Sequence, residues 1–243
     1  MKKKRKQKKK AFFIAIEGIS ASGKSEIIHN LQNQLEQKDI PVVIIKWNSN
    51  RVIRFLIRCF SARGSLSPQI YSCLQWINFL YDYFMQYKKF LRQDCVVIAD
   101  RYFLTILNRN LTNGLKNRLS LLIGRLICKP DIIAFINTPP RECYSRIKKR
   151  GKPFFLLNKK IKHSSGNRML KYLRYMRINY HLLFANPAVA SASKIIISNG
   201  NSFDLLRKIY TCFPRIYRER ISCGASAETS GSGQPAPPLR QVQ

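Results

Sequence analysis

Five short apolar runs, rich in β-branched residues, recur along this chain and predict buried strands. They lie at residues 12–16, 42–47, 95–99, 132–136 and 194–198. Stretches of helical character separate them, an alternation that is typical of a parallel sheet covered by helices on both faces. The pattern therefore predicts an α/β fold, a three-layer sandwich with a five-stranded parallel sheet flanked by helices.

Apolar residues spaced three and four positions apart predict four of the helices. The first follows Lys24 and continues through an apolar stripe of Ile27, Ile28, Leu31 and Leu35. A long helix is expected from about residue 70 to 92, a third over residues 140–150 and a fourth from about 170 to 184.

The long predicted helix is rich in aromatic residues, and they occupy several of its faces. Two interpretations are open: a core helix with an additional dimer contact, or a wall on which a base stacks. Its one acidic residue, Asp82, is either a carboxylate of a ligand pocket or an ordinary surface residue.

The two ends of the chain differ in composition from the middle. Residues 1–10 contain eight Lys and Arg side chains, which repel one another, and residues 222–243 are rich in Ser, Gly, Ala, Pro and Gln. Neither stretch can build a core, so both are predicted to be disordered tails. One folded domain is expected over residues 11–221.

The chain carries 44 Lys and Arg against 12 Asp and Glu, a formal net charge of +32. Such a field attracts polyanions, including nucleotides, nucleic acid, anionic lipid and phosphorylated substrates, without selecting among them. The basic run at residues 1–10 is therefore a candidate polyanion contact.

The seven cysteines are scattered, with neither a CxxC pair nor the spacing of a zinc site. This usage is typical of buried free thiols in a reducing compartment, and it favours a cytoplasmic location. No apolar stretch reaches the length that a bilayer requires, so no transmembrane helix is expected.

The most informative motif is a complete G-x-x-x-x-G-K-S between the first predicted strand and the first predicted helix. Its glycines let backbone amides curl around phosphates, and the helix that follows adds its positive N-terminal dipole. Lys24 is expected to reach the β- and γ-phosphates, and the Ser25 hydroxyl to ligate Mg²⁺. The predicted ATP-binding residues are Gly18, Ser20, Ala21, Ser22, Gly23, Lys24 and Ser25.

Asp100 and Arg101 directly follow the third predicted strand. The carboxyl ends of parallel strands form the ligand-binding edge of an α/β sheet. Asp100 is therefore expected either to hold the water shell of Mg²⁺ or to accept the proton of a nucleophile, and Arg101 to clamp an acceptor phosphate. A surface Asp–Arg pair is the alternative.

A basic segment ends the third predicted helix and includes Arg146 and Arg150. In a chain that binds ATP, such a segment indicates a mobile lid whose arginines neutralise the transferring phosphoryl group. A solvated basic face is the alternative interpretation.

Over residues 12–210 these motifs occur in an order and spacing that resemble the thymidylate kinase family. Residues 13–18, followed by Gly23-Lys24-Ser25, are similar to the family's first strand, Glu-Gly pair and phosphate loop. Residues 97–102 resemble its Asp-Arg-Tyr segment, and residues 129–151 resemble its fourth strand and lid. Residues 172–180 resemble the helix that returns to the last strand.

The resemblance implies a doubly wound parallel sheet, ATP as the donor, Mg²⁺, a nucleoside monophosphate acceptor and a homodimer. It also implies that Asn199, after the last strand, lies beside the adenine. The chain is thus expected to be an ATP-dependent kinase, a P-loop phosphotransferase whose partners are ATP and a phosphoryl acceptor.

Departures from the family pattern cluster on the acceptor side. Ser20 stands where the family usually has Asp, and Leu80 stands at the position of its base-reading Arg. Lys46-Trp47-Asn48 replaces Arg-Glu-Pro, and residues 103–108 lack the expected Ser with its downstream Tyr-Gln pair. Losing a charge-assisted hydrogen bond to a base edge costs about 1.5–3 kcal/mol, or roughly ten- to a hundredfold in selectivity.

These departures leave open two alternatives to a kinase that phosphorylates a nucleotide. One is a P-loop kinase with a small-molecule or peptide acceptor. The other is a nucleotide-binding protein whose basic surface binds nucleic acid or anionic membrane.

Overall fold

The computed structural model describes residues 11–151, 158–186 and 193–198, together with Arg207. The two predicted tails and the predicted adenine-side residue Asn199 lie outside these residues. No helix in the described ranges is long and apolar enough to cross a membrane.

Five strands form a single parallel sheet in the order β2-β3-β1-β4-β5. This confirms the predicted sheet, and each strand falls within two residues of its expected limits. The strands are β1 (Phe12–Gly18), β2 (Val42–Lys46), β3 (Val96–Asp100), β4 (Ile132–Asn137) and β5 (Ser193–Ser198).

Nine helices accompany the sheet within the described ranges. They are α1 (Lys24–Glu36), α2 (Arg51–Ala62), α3 (Pro68–Asp82), α4 (Lys88–Phe90), α5 (Phe103–Thr112), α6 (Arg118–Leu126), α7 (Pro140–Arg150), α8 (Lys159–Lys162) and α9 (Arg168–Ala185). A π-helical turn at Tyr83–Tyr87 joins α3 to α4, so the long predicted helix is present but interrupted. Helices α2, α5, α6 and α8 were not predicted from the apolar pattern.

The sheet is the middle of three layers, because successive residues of a strand point to opposite faces. On one face Phe12, Ile14 and Ile16 of β1 pack with the apolar stripe of α1. On the other face Phe13 and Ala15 pack with side chains of α3, α5, α7 and α9.

Phe79 of α3 lies at the centre of the aromatic packing on that second face. Its ring centroid is 5.2 Å from that of Tyr102, 5.7 Å from that of Trp76 and 6.0 Å from that of Trp47. Tyr81 and Phe84 point away and are exposed. The core interpretation of the aromatic helix therefore holds for its inner face.

The five cysteines in the described ranges are free thiols. Cys95 and Cys143 are buried as expected, whereas Cys73 is exposed, which contradicts a buried role for that thiol. Burial raises the pKa of Cys95 and of Cys143 to about 11, so neither thiol is a ready nucleophile at neutral pH.

A buried carboxylate, Glu17, joins the end of β1 to three other segments. It accepts hydrogen bonds from the Tyr102 amide at 2.8 Å, the Thr105 hydroxyl at 2.7 Å and the Tyr180 hydroxyl at 3.0 Å. Burial raises the pKa of Glu17, although the hydrogen bonds from Thr105 and Tyr102 oppose that rise. The carboxylate thus ties β1 to the segment after β3, to α5 and to α9.

We predict that Glu17→Ala destabilises the fold more than Glu17→Gln. Alanine leaves the Tyr102 amide buried without an acceptor, and only one of the Thr105 and Tyr180 hydroxyls, 3.1 Å apart, can then donate to the other. Each stranded donor costs about 1–3 kcal/mol. Glutamine retains one oxygen, and hydroxyls can rotate to accept from its amide. Urea unfolding measures the difference in free energy of unfolding. Equal losses for the two variants would contradict the role assigned to this carboxylate.

The raised pKa of Glu17 also predicts that the stability of the fold depends on pH. The folded protein holds the Glu17 proton to higher pH than the unfolded chain does. Stability from this group therefore declines as pH rises from the unfolded pKa through the raised folded pKa. That decline should be absent in Glu17→Gln.

Candidate active site at the carboxyl ends of the strands

The loop between β1 and α1 has a backbone that glycine makes possible. A Cβ on Gly18 would lie 2.7 Å from the Ser22 hydroxyl oxygen and 3.1 Å from the Ile136 carbonyl oxygen, so a side chain does not fit there. Ala21 and Gly23 have left-handed conformations, with φ of 61° and 90°. Tight curls of this kind build anion-binding nests from successive backbone amides.

Lys24 is buried and reaches back across this loop. Its Nζ donates to the carbonyl oxygens of Gly18 at 3.2 Å and Ile19 at 2.7 Å, and to the Ser22 hydroxyl at 3.1 Å. Burial lowers the pKa of Lys24 well below its usual value, and the Arg101 charge lowers it further. Asp100 and Glu17 act in the opposite direction.

Arg101 lies against the start of the same loop. Its backbone is left-handed, with φ of 74°, an unusual conformation for a residue with a side chain. Its amide donates to the Ile16 carbonyl oxygen at 3.0 Å, and its Nη1 donates to the Gly18 carbonyl oxygen at 2.8 Å. The guanidinium therefore faces the loop rather than forming a surface pair with Asp100.

Asp100 and Ser25 carry side-chain oxygens at the same end of the sheet as the loop. The Asp100 Oδ1 atom is buried and has no hydrogen-bond partner. The Ser25 residue, in the first turn of α1, is exposed, and Ser20 is half-buried. The geometry thus brings a carboxylate and a loop-end hydroxyl to the strand edge that was predicted to bind ligand.

α7 supplies the third cation at the loop. Arg146 Nη1 donates to the Ala21 carbonyl oxygen at 3.3 Å, and its Nη2 pairs with Glu142 at 2.9 Å. The Thr138 hydroxyl, just before α7, donates to the Ser22 carbonyl oxygen at 2.8 Å. Arg150, at the end of α7, is exposed and is not brought to the loop.

A buried polar stripe on α3, which was not predicted from the sequence, is formed by Tyr71, Gln75, Asn78 and Asp82. These residues recur at spacings of four and three, so they share one helix face. Asp82 accepts from the Ser49 amide at 3.3 Å, from the Ser49 hydroxyl and from Asn78 Nδ2 at 3.1 Å. Only 2% of Asp82 is exposed, so its interpretation as a surface residue is wrong.

Arg109 of α5 lies at the other end of this stripe. Its Nη1 donates to the Tyr71 hydroxyl at 2.6 Å and to Gln75 Oε1 at 2.9 Å. The spacing of polar residues on α3 is the signal that could have revealed the stripe. No local signal in the sequence pairs Arg109 with it.

A sequence model of the thymidylate kinase family matches residues 16–196, three quarters of the chain. The chain belongs to the thymidylate kinase family. A probable thymidylate kinase of Pyrobaculum aerophilum is 28% identical over 140 residues, which cover 57% of this chain and 71% of that relative. A probable thymidylate kinase of Thermococcus kodakarensis is 27% identical over 177 residues, which cover 69% of this chain and 82% of that relative. The thymidylate kinase of Xanthomonas campestris pv. campestris is 30% identical over 138 residues, which cover 57% of this chain and 61% of that relative.

Membership of this family confirms the predicted class of protein. The chain is an ATP-dependent kinase that transfers a phosphoryl group to a nucleoside monophosphate. The alternatives with a non-nucleotide acceptor, or with a nucleotide-binding scaffold that has no transfer activity, are not favoured.

The geometry of Lys24 predicts that ATP binding weakens as pH rises through the alkaline range. Its pKa lies below that of an ordinary lysine in the free protein, and bound phosphates favour the charged form. Binding should therefore take up a proton at pH values above that lowered pKa. Isothermal titration in buffers of different ionisation enthalpy measures both the affinity and the uptake.

The matched variants for this titration are Lys24→Met and Lys116→Met, since Lys116 is exposed. Lys24→Met should bind ATP weakly and without the alkaline decline, whereas Lys116→Met should follow the wild type. If ATP affinity varied with pH in the same way in the wild type and in Lys24→Met, Lys24 would not be the group that takes up the proton.

Proposed function

We propose that this kinase carries out in-line transfer of the γ-phosphoryl group from ATP·Mg²⁺ to a nucleoside monophosphate at the loop of residues 18–25. One observation carries the proposal: the cationic groups of Lys24, Arg101 and Arg146 all donate to backbone carbonyls of this one loop. Three cations gathered at one loop are poised to receive phosphate oxygens, although Arg146 also pairs with Glu142 in the free protein.

On the donor side, the loop backbone and Lys24 hold the β- and γ-phosphates, with Gly18, Ser20, Ala21, Ser22 and Gly23 forming the cradle. The loop is packed so closely at Gly18 that no Cβ atom fits there. Asn199 remains a predicted adenine contact, since it lies outside the described residues.

Ser25 and Asp100 are the residues that would hold Mg²⁺. The ion binds to proteins through one or two carboxylates and keeps its water and phosphate ligands. An unpaired buried Asp100 oxygen and an exposed Ser25 hydroxyl fit that requirement. When bound, the ion would neutralise charge on the phosphates.

On the acceptor side, Arg101 orients the acceptor phosphate. A phosphate monoester is largely ionised at pH 7, since its second pKa is about 6. It needs no general base, which favours the metal-holding role of Asp100 over proton abstraction. Arg146 faces the transferring group, and Arg150 joins it only if the end of α7 moves. Positioning and charge neutralisation then account for the chemistry without a covalent enzyme intermediate.

The surroundings of the site add further proposals. The kinase domain spans residues 11–221, and the basic run at residues 1–10 contacts polyanions. A second copy of the chain covers the outer face of α3, where Ile77, Tyr81 and Phe84 are exposed. A cytoplasmic location is proposed from the free thiols.

A transfer assay with labelled ATP·Mg²⁺ and a panel of ribo- and deoxynucleoside monophosphates tests the proposed function. The wild type should phosphorylate at least one member of the panel. Lys24→Ala and Arg101→Met should each lower kcat by a factor of about 10²–10³, the usual cost of removing one preorganised charge-stabilising donor. Asp100→Asn should raise the Mg²⁺ concentration required for half-maximal rate.

Arg92→Met is the matched control, because Arg92 is exposed and outside the site. Its kinetics should equal those of the wild type. The proposal fails if Lys24→Ala transfers as fast as the wild type, or if small molecules and peptides accept the phosphoryl group and nucleotides do not.

A further inference from the structure

Unpaired polar atoms concentrate around the α3 polar stripe. Five buried side-chain nitrogen or oxygen atoms in the described ranges have no hydrogen-bond partner. Four of them lie at the carboxyl ends of β2 and β3 or on the facing side of α3. These four are Trp47 Nε1, Asn48 Oδ1, Asn78 Oδ1 and Asp100 Oδ1.

Hydrogen bonds and ring contacts bring these groups together. The Trp47 amide donates to the Asp100 carbonyl oxygen at 3.2 Å, and the Trp47 ring lies 6.0 Å from Phe79 of α3. Ser49, next to Asn48, binds Asp82, which in turn accepts from Asn78. Buried polar groups are normally paired, so a cluster of unpaired ones indicates a surface that a polar ligand completes.

Arg109 closes the far end of this surface. No carboxylate lies within ion-pair distance of it in the described ranges. Nη1 is held by Tyr71 and Gln75, while no described residue accepts from Nη2 or Nε. A half-buried guanidinium with its fork fixed and its remaining donors unused is suited to binding planar groups with two acceptor atoms.

α5 connects Arg109 to the phosphate end of the site. The helix begins at Phe103, directly after Arg101 and Tyr102, and Arg109 is six residues further. Six residues of α-helix rise about 9 Å. Arg101 and Arg109 therefore lie on one continuous segment, with Arg101 before the first turn of α5 and Arg109 nearly two turns along it.

We propose that Arg109 recognises the base of the acceptor nucleotide, with Tyr71 and Gln75 fixing its orientation. The unpaired Oδ1 atoms of Asn48 and Asn78 accept hydrogen bonds from hydroxyl or amino groups of the same ligand. This inference rests on the proposed function and specifies its acceptor subsite. Leu80, where the family resemblance expects a base-reading Arg, instead packs against the core. The guanidinium that reads the base comes from α5.

The test is equilibrium binding, without ATP, of each common nucleoside monophosphate and of ribose 5-phosphate, which has no base. Wild type, Arg109→Met, Arg109→Lys and the surface control Arg92→Met are compared by titration calorimetry. Arg109→Met should weaken the preferred nucleotide about ten- to a hundredfold, the range for a charge-assisted hydrogen bond. Its affinities for ribose 5-phosphate and for ATP should not change. Arg109→Lys should recover only part of the loss, because it keeps the charge but not the planar fork.

Tyr71→Phe provides a second, milder variant if Arg109→Met disturbs folding. It removes one hydroxyl that positions the guanidinium, and it should weaken the nucleotide about two- to tenfold without changing ribose 5-phosphate binding. The thermal midpoint of each variant reports whether the fold is intact.

Three results would overturn the inference: equal losses for nucleotide and ribose 5-phosphate, no loss for Arg109→Met, or a wild type that binds no nucleotide more tightly than ribose 5-phosphate. Base-dependent binding through Arg109 without any phosphoryl transfer would support the inference while refuting the proposed function. Transfer to a nucleotide that is unchanged by Arg109→Met would refute the inference alone.

Discussion

The buried carboxylate of Glu17 is the constraint on which the rest of the site depends. It stands immediately before Gly18 and accepts hydrogen bonds from Tyr102, Thr105 and Tyr180. By holding the Tyr102 amide it fixes the segment after β3, in which Arg101 has a left-handed backbone and faces the loop. The same carboxylate sets the position of α5 and α9 against β1. The Glu17 side chain thus adds to the β1–β3 pairing and the Arg101 hydrogen bonds that hold the phosphate loop beside the segment of Asp100 and Arg101.

The electrostatic design of the site follows from that register. Three cationic side chains donate to carbonyl oxygens of one loop in the free protein, and of the three Arg146 also pairs with a carboxylate, that of Glu142. Dipoles balance such charges less well than anions do, and burial together with Arg101 depresses the pKa of Lys24. Phosphate oxygens would provide the missing negative charge. The free protein therefore carries an electrostatic cost that binding of the substrate relieves.

The fold was largely predictable because the signals were local. Apolar runs marked all five strands, and the spacing from Gly18 to Lys24 marked the loop before its shape was known. The α2 helix was missed although Asn50 caps its first turn and Ile53 and Ile57 repeat at helical spacing. The exposed position of Arg150 could not be read from its charge, since a basic helix end looks the same whether or not it faces a ligand.

The acceptor side was less predictable for a physical reason. Polar residues at spacings of three and four on a helix look like a solvated face, and only packing shows that Gln75, Asn78 and Asp82 are buried. The contact between Arg109 and Tyr71 joins residues 38 positions apart, which a single sequence cannot reveal. Glu17 belongs to the Glu-Gly pair that precedes the phosphate loop, but its three hydrogen-bond partners come from distant segments.

The most direct test of the central claim, that donor and acceptor meet at this one edge of the sheet, is the binding of a bridging ligand. Adenosine joined through a pentaphosphate to each common nucleoside would occupy both subsites at once. We predict that one such compound binds about 10²–10⁴ times more tightly than ATP, because the second contact becomes intramolecular. ATP and the matching nucleoside monophosphate should each displace it. An affinity no higher than that of ATP, for every nucleoside in the series, would contradict the account.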